Sequence, residues 1–221
     1  GETALRYNWQ TPILLSRHNQ DVFYYGSNKF HRSFNRGDSL VTLSADLTTN
    51  PAQGDVPFGT LTTMSESPIK FGLIYVGSDD GNVQVTKDGG YTFSVLNKGL
   101  PKGLYVSRVV ASAFNEARVY VTLNGYRNDH FNAYVYRSDD YGTTWKQIMK
   151  DLPMEPVNVI KEDVANENIL YVGTDGGLYV SVDGGNSSMM WNKGLPASVP
   201  VHDIAVHPRD NEIILGTHGR S

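Results

Sequence analysis

The chain has 221 residues, of which 39% are hydrophobic and 19% charged, with a formal net charge of −4. This is the composition of a globular chain long enough for a large core, not of a disordered one; the acidic balance argues against nucleic acid or an anionic membrane surface as the main partner. The absence of cysteine excludes a disulfide-stapled small domain, and no apolar run reaches the roughly 18 residues that a membrane-spanning helix needs.

The N-terminus, "GETALRYNWQ", has neither a basic n-region nor an apolar h-region. Within it, residues 4–9 ("ALRYNW") read as a strand. No later stretch keeps an i, i+3, i+4, i+7 apolar pattern over three turns, so almost no helix is expected. Many glycines and tyrosines point instead to short strands and tight turns.

From residue 11 onward the chain repeats itself. Each unit opens with a strand-like run: "PILLSRHN", "GTLTTMSES", "VSRVVASAFN", "VNVIKEDVAN" and "VHDIAVHPRDN". A second run ends in glycine, at Gly26, Gly77, Gly173 and Gly216, with a looser version ending at Gly125. It reads as a strand followed by a glycine turn.

Next comes a box, [S/T]-x-[D/N]-x-G-x-[S/T] followed by an apolar residue. The copies hold Ser33, Asn35 and Gly37; Thr86, Asp88, Gly90 and Phe93; Ser138, Asp140, Gly142, Thr144 and Trp145; and Ser181, Asp183 and Gly185, with Trp191 delayed by an insertion. A Leu-Pro element closes the second, third and fourth units, at Pro101, Pro153 and Pro196.

The unit is therefore four strands in about 43 to 53 residues, the size of a propeller blade. Blades are expected at 11–48, 56–101, 104–153 and 156–196, with a partial fifth at 201–221. Either the chain is part of a longer propeller, or residues 4–9 complete the fifth sheet in a five-bladed ring.

Each box explains itself as a rigid hairpin. The Asp or Asn side chain accepts backbone N–H groups across its turn, and the glycine takes a positive φ. Ser or Thr hydroxyls close over the turn, and the aromatic ring starts the fourth strand and packs between sheets.

These boxes resemble the Asp-box, or BNR, repeat of sialidases, xyloglucan-degrading hydrolases and sortilin-type propellers. "YVGTDGGLYVSVDGG" and "VHDIAVHPRDNEIILGTHGR" look most like large bacterial glycosyl-hydrolase-like or sortilin-like proteins. The resemblance implies an all-β propeller of four-stranded antiparallel blades, boxes set away from the ligand face, and an extracytoplasmic location. It also implies a neighbouring domain or further blades as partner, and a glycan or peptide as ligand. A sialidase would also need a cluster of three arginines, a Tyr nucleophile and its partner acid, and the early Arg-Ile-Pro element typical of that family does not occur, so sialidase activity is not expected.

Ligands of propellers meet loops joining second to third strands and loops between blades. Catalytic candidates there are Asp79, Asp80, Asp129 and Asp175, because glycoside hydrolysis needs two carboxyls: about 5 Å apart for retention, roughly 6.5–9.5 Å for inversion. Binding candidates are Arg108, Arg127, Asp129, His130, His202, His218 and Arg220. An Asp before Gly in a hairpin also reads simply as a turn former. No histidine spacing resembles a metal site, and no nucleophile elbow, phosphate loop or dinucleotide fingerprint occurs, so neither metal nor cofactor is expected. Recognition without catalysis is the leading expectation; glycoside hydrolysis and a purely structural blade stack are the alternatives.

Overall fold

The computed structural model describes residues 4–56 and 58–219. They form β-strands and a single 3-10 turn. The first sheet contains β1 (Ile13–Leu15), β2 (Phe23–Gly26), β3 (Phe30–Ser33) and β4 (Val41–Thr42). The second contains β5 (Leu61–Glu66), β6 (Ile74–Ser78), β7 (Val83–Thr86) and β8 (Ser94–Val95). The third contains β9 (Tyr105–Ala111), β10 (Val119–Asn124), β11 (Tyr134–Ser138) and β12 (Lys146–Gln147), and the fourth β13 (Val157–Glu162), β14 (Leu170–Thr174), β15 (Leu178–Ser181) and β16 (Met189–Trp191). β17 (Val201–Val206) and β18 (Ile213–Thr217) make a two-stranded fifth sheet. Every pairing is antiparallel and sequential, so each four-stranded sheet is a meander.

The sheets stack face to face, with one apolar cluster between each adjacent pair. β5, β9, β13 and β17, the first strands of successive sheets, touch one another along the inner side. This is the architecture of a β-propeller, as the repeat led one to expect. Among the described residues the ring is not closed between the fifth and first sheets. No helix there is long and apolar enough to cross a membrane.

Three local expectations are corrected. Residues 4–9 form no strand. Their polar side chains tie them to the first two sheets instead: the Arg6 guanidinium donates to Asp46 at 2.7 Å and to the Gly59 carbonyl at 3.1 Å, and Asn8 donates to Thr60.

The glycines that end the second runs are not turn glycines. Gly26, Gly77 and Gly173 pair within their sheets, and none has a positive φ. A Cβ on Gly77 or Gly173 would run into the next blade's first strand, at Val106 or Val201; on Gly26 it would strike Pro12 at 2.7 Å, with Leu61 of the next blade 3.1 Å away. Glycine is needed at these points because two backbones approach closely. In the third blade Thr122 holds the equivalent register, paired with Val135, and Gly125 lies beyond it as N-cap of the 3-10 turn Tyr126–Asn128.

Trp191 is not a delayed box aromatic. It pairs with Leu178 on β15 and stands ten residues after the first box residue, as Leu43, Leu96 and Ile148 do in the other sheets. Leu43, Leu96 and Ile148 each bond back to their third strand and each receive the box of the following blade. The fourth box has no insertion; Ser188 simply occupies its aromatic place.

In the boxes one geometry recurs. Ser33, Thr86, Ser138 and Ser181 each donate to the Asn or Asp two residues on and accept the N–H of the box glycine at 2.8–2.9 Å. In the last three, a second hydroxyl (Thr92, Thr144 or Ser187) donates to the same carboxylate at 2.6 Å. Those bonds hold the Asp140 carboxyl down at about 2 and keep Asp88 and Asp183 well below the usual carboxylate range. The turn needs two consecutive left-handed residues, and Tyr141 at φ 59° precedes Gly142 at 85°.

Candidate functional site

On the side of the sheets opposite the boxes, the inner ends of the strands surround an open cavity of about 1000 Å³. What aims side chains into it is a bulge near the start of each first strand after β1. The register slips once in each, leaving Thr62, Ser107, Asn158 and His202 as the extra residue, and all four line the cavity. The bulges also lock neighbours together: Thr62 donates to the Val106 carbonyl at 2.6 Å and Ser107 to the Val157 carbonyl at 2.7 Å.

Five of the expected residues meet there: Arg108, Arg127, Asp175, His202 and His218. Arg108 on β9 reaches across the cavity to Asp203 on β17 at 2.9 Å. Asp175, in the β14–β15 turn, accepts a 2.8 Å bond from Asn158, which in turn accepts one from Asn124. The rings of His202 and His218 meet edge to face at 6.0 Å. Arg127 lies over the Tyr105 ring at 5.0 Å, and burial raises the Tyr105 hydroxyl above its ordinary pKa.

Other candidates stand elsewhere. Asp79 is buried and holds the start of β5, accepting the Thr60 N–H at 2.8 Å and its hydroxyl at 2.7 Å; burial nevertheless raises its pKa. Asp80 accepts both the N–H and the hydroxyl of Thr49 at 2.7 Å, anchoring the loop between the first two blades. Asp129 closes the 3-10 turn at φ 52°. His130 stacks on Tyr134 and bonds its hydroxyl at 2.7 Å. None of these four lines the cavity. Arg220 lies outside the described residues.

Asn158 and Asp203 went unnoticed in the sequence. The signal for them is a break in alternation: Leu61 and Met64, Val106 and Val109, Val157 and Ile160, and Val201 and Ile204 are apolar pairs spaced by three where a flat strand would space them by two. Trp9, Tyr105 and Tyr126 also line the cavity, and no motif of the sequence marks them. Trp9 is 88% exposed and Tyr126 61%, both at the cavity.

No protein-family model matches the sequence, and no curated protein matches it. Solved structures do. A GH74 xyloglucanase from Xanthomonas campestris superposes with a TM-score of 0.74 at 16% identity, over 97% of this chain and 34% of that one. An ancestral GH74 enzyme gives 0.75 at 15%, over 98% and 29%. The extracellular domain assigned to a hybrid two component system of B. thetaiotaomicron gives 0.65 at 17%, over 96% and 28%. The chain spans about a third of the length of these structures. At such identities the likeness shows the fold.

Proposed function

We propose that the chain is a recognition module of a larger extracytoplasmic protein, an Asp-box propeller that binds a glycan in the central cavity without cleaving it. The observation that carries this reading is the cavity's make-up. Two exposed aromatic rings, Trp9 and Tyr126, stand beside amides, two carboxylates and two arginines drawn from several blades. The C–H faces of sugar rings cover aromatic faces, while amide and carboxylate groups bond the hydroxyls. The boxes serve as turn staples on the opposite side.

A glycan array followed by calorimetry on the best binder tests the reading. Trp9→Ala and Tyr126→Ala each weaken binding at least tenfold while the fold is kept. Binding that both variants leave unchanged removes the cavity from the account.

Hydrolysis is the second reading, because two carboxylates, Asp175 and Asp203, line the same cavity. Arg108 neutralises Asp203 and Asn158 holds Asp175, an arrangement suited to positioning more than to proton transfer. A reducing-end assay on the bound glycan decides: turnover abolished by Asp175→Asn overturns the non-catalytic reading.

A further inference from the structure

Between the fourth and fifth sheets, on the outer side, lies a largely apolar cavity of about 320 Å³ framed by Leu178, Trp191 and Leu195 on one wall and Ile213 and Leu215 on the other, with Lys193 and Asn211 completing its lining. The blade repeat says what such a space receives. By register, Leu178 and Trp191 correspond to Phe30 and Leu43 of the first blade, and Ile213 and Leu215 to Ile74 and Val76 of the second.

Between the first and second blades those four equivalents enclose the second box. The Phe93 ring meets Phe30 edge to face at 5.5 Å within the same cluster, and a Cβ on Gly90 would strike Phe30 and Leu43. The next interface repeats this: Trp145 donates its indole N–H to the Leu96 carbonyl at 2.8 Å, and Gly142 sits against Leu96. At the third, Gly185 sits against Ile148, and its carbonyl accepts the Met149 N–H at 2.7 Å.

At the fifth sheet the element that would present a box is a third strand on the outer edge of β18. Among the described residues β18 pairs only with β17, so that edge has backbone groups free for a partner strand. Ile214, on the other face of β18, is 60% exposed, and Trp191 42%.

We infer that the edge of β18 and the Trp191 cavity together are a docking site for a β-hairpin of the repeat's own kind. Its strand pairs with β18. Its Ser/Thr-x-Asp-x-Gly turn seats glycine on Trp191, and the aromatic residue after the box enters between Leu178 and Leu215. Three interfaces inside the chain present the same walls to the same type of turn, which selects this occupant over an unrelated apolar helix or a lipid chain.

The test supplies such a hairpin in trans. The probe is a backbone-cyclised peptide of residues 132–149, closed so that it is already folded, titrated calorimetrically into the 221-residue chain. Saturable one-to-one binding is expected, weakened at least tenfold by Trp191→Asp and by Leu215→Asp. A probe carrying Gly142→Val and Trp145→Ser is expected not to bind. Circular dichroism reports whether each variant keeps its sheet content, and Ile214→Asp, on the opposite face of β18, is expected to bind as wild type does. The inference is overturned if no binding occurs, if the box-altered probe binds equally, or if Trp191→Asp leaves affinity unchanged. It is equally overturned if sedimentation shows the chain self-associating through this face in a Trp191-dependent way, which would make a second copy the occupant.

Discussion

The hydroxyl of Tyr24, on β2, donates a 2.7 Å hydrogen bond to Glu66 at the end of β5, across the interface between the first two blades. Tyr120 and Glu162 repeat the pair between the third and fourth, at 3.1 Å. Between the second and third, Tyr75 occupies the same register, but Ala111 stands where the glutamates stand, and the buried Tyr75 hydroxyl has no partner.

One substitution should therefore have opposite signs at two places. Tyr24→Phe removes a buried bond and leaves Glu66 short of a donor, costing about 1–3 kcal/mol. Tyr75→Phe removes an unpaired hydroxyl and should be neutral or stabilising by up to about 1 kcal/mol. Urea unfolding followed by tryptophan fluorescence measures both; equal losses would dissolve the distinction.

The boxes predict an acid limit. Asp140 falls from an ordinary 3.8 to about 2 in the folded chain, with Asp88 and Asp183 also depressed, chiefly by hydroxyl bonds from Ser138, Thr92 and Ser187. A depressed carboxylate contributes stability that is fully present above its unfolded pKa and is lost as pH falls through the folded one. Stability should be flat with respect to these groups above about pH 4 and fall progressively toward and below about pH 2. Asp140→Asn should lower the plateau and flatten part of the slope, read from urea midpoints at stepped pH.

Two tryptophans should differ in weight. Trp145 packs in the cluster between the second and third blades and bonds Leu96, so Trp145→Ala should cost about 3 kcal/mol. Trp191 is 42% exposed, with its N–H on the Lys193 carbonyl of its own loop. Trp191→Ala should cost about 1 kcal/mol or less. Denaturation midpoints of the two variants compare them directly.

The strand glycines give a graded series. Gly77→Ala and Gly173→Ala push a methyl into Val106 and Val201 and should destabilise by about 1–3 kcal/mol through overpacking. Gly216→Ala meets only Asp203 of its own sheet, at 3.2 Å, and should cost under about 1 kcal/mol. Equal effects at all three would mean that backbone entropy, not close approach of blades, is what glycine supplies there.

Much of this protein was legible without coordinates. Strand number, blade order and the box turns follow from local rules: period-two runs, a hydroxyl and a carboxylate two residues apart, a glycine where φ must be positive. Such rules act within about ten residues, so they are written in the chain next to where they operate. The placement of Arg108, Arg127, Asp175, His202 and His218 around one cavity was foreseen only as loops sharing a face. That Arg108 pairs with Asp203 while Asp79 and Asp80 are bound inside turns was decided by which backbones approach across sheets. The same holds for Gly77, needed for Val106, and for Trp191, which serves the cradle for a following box and not its own. Each of these depends on distance between residues far apart in sequence, and only packing one blade against the next sets that distance.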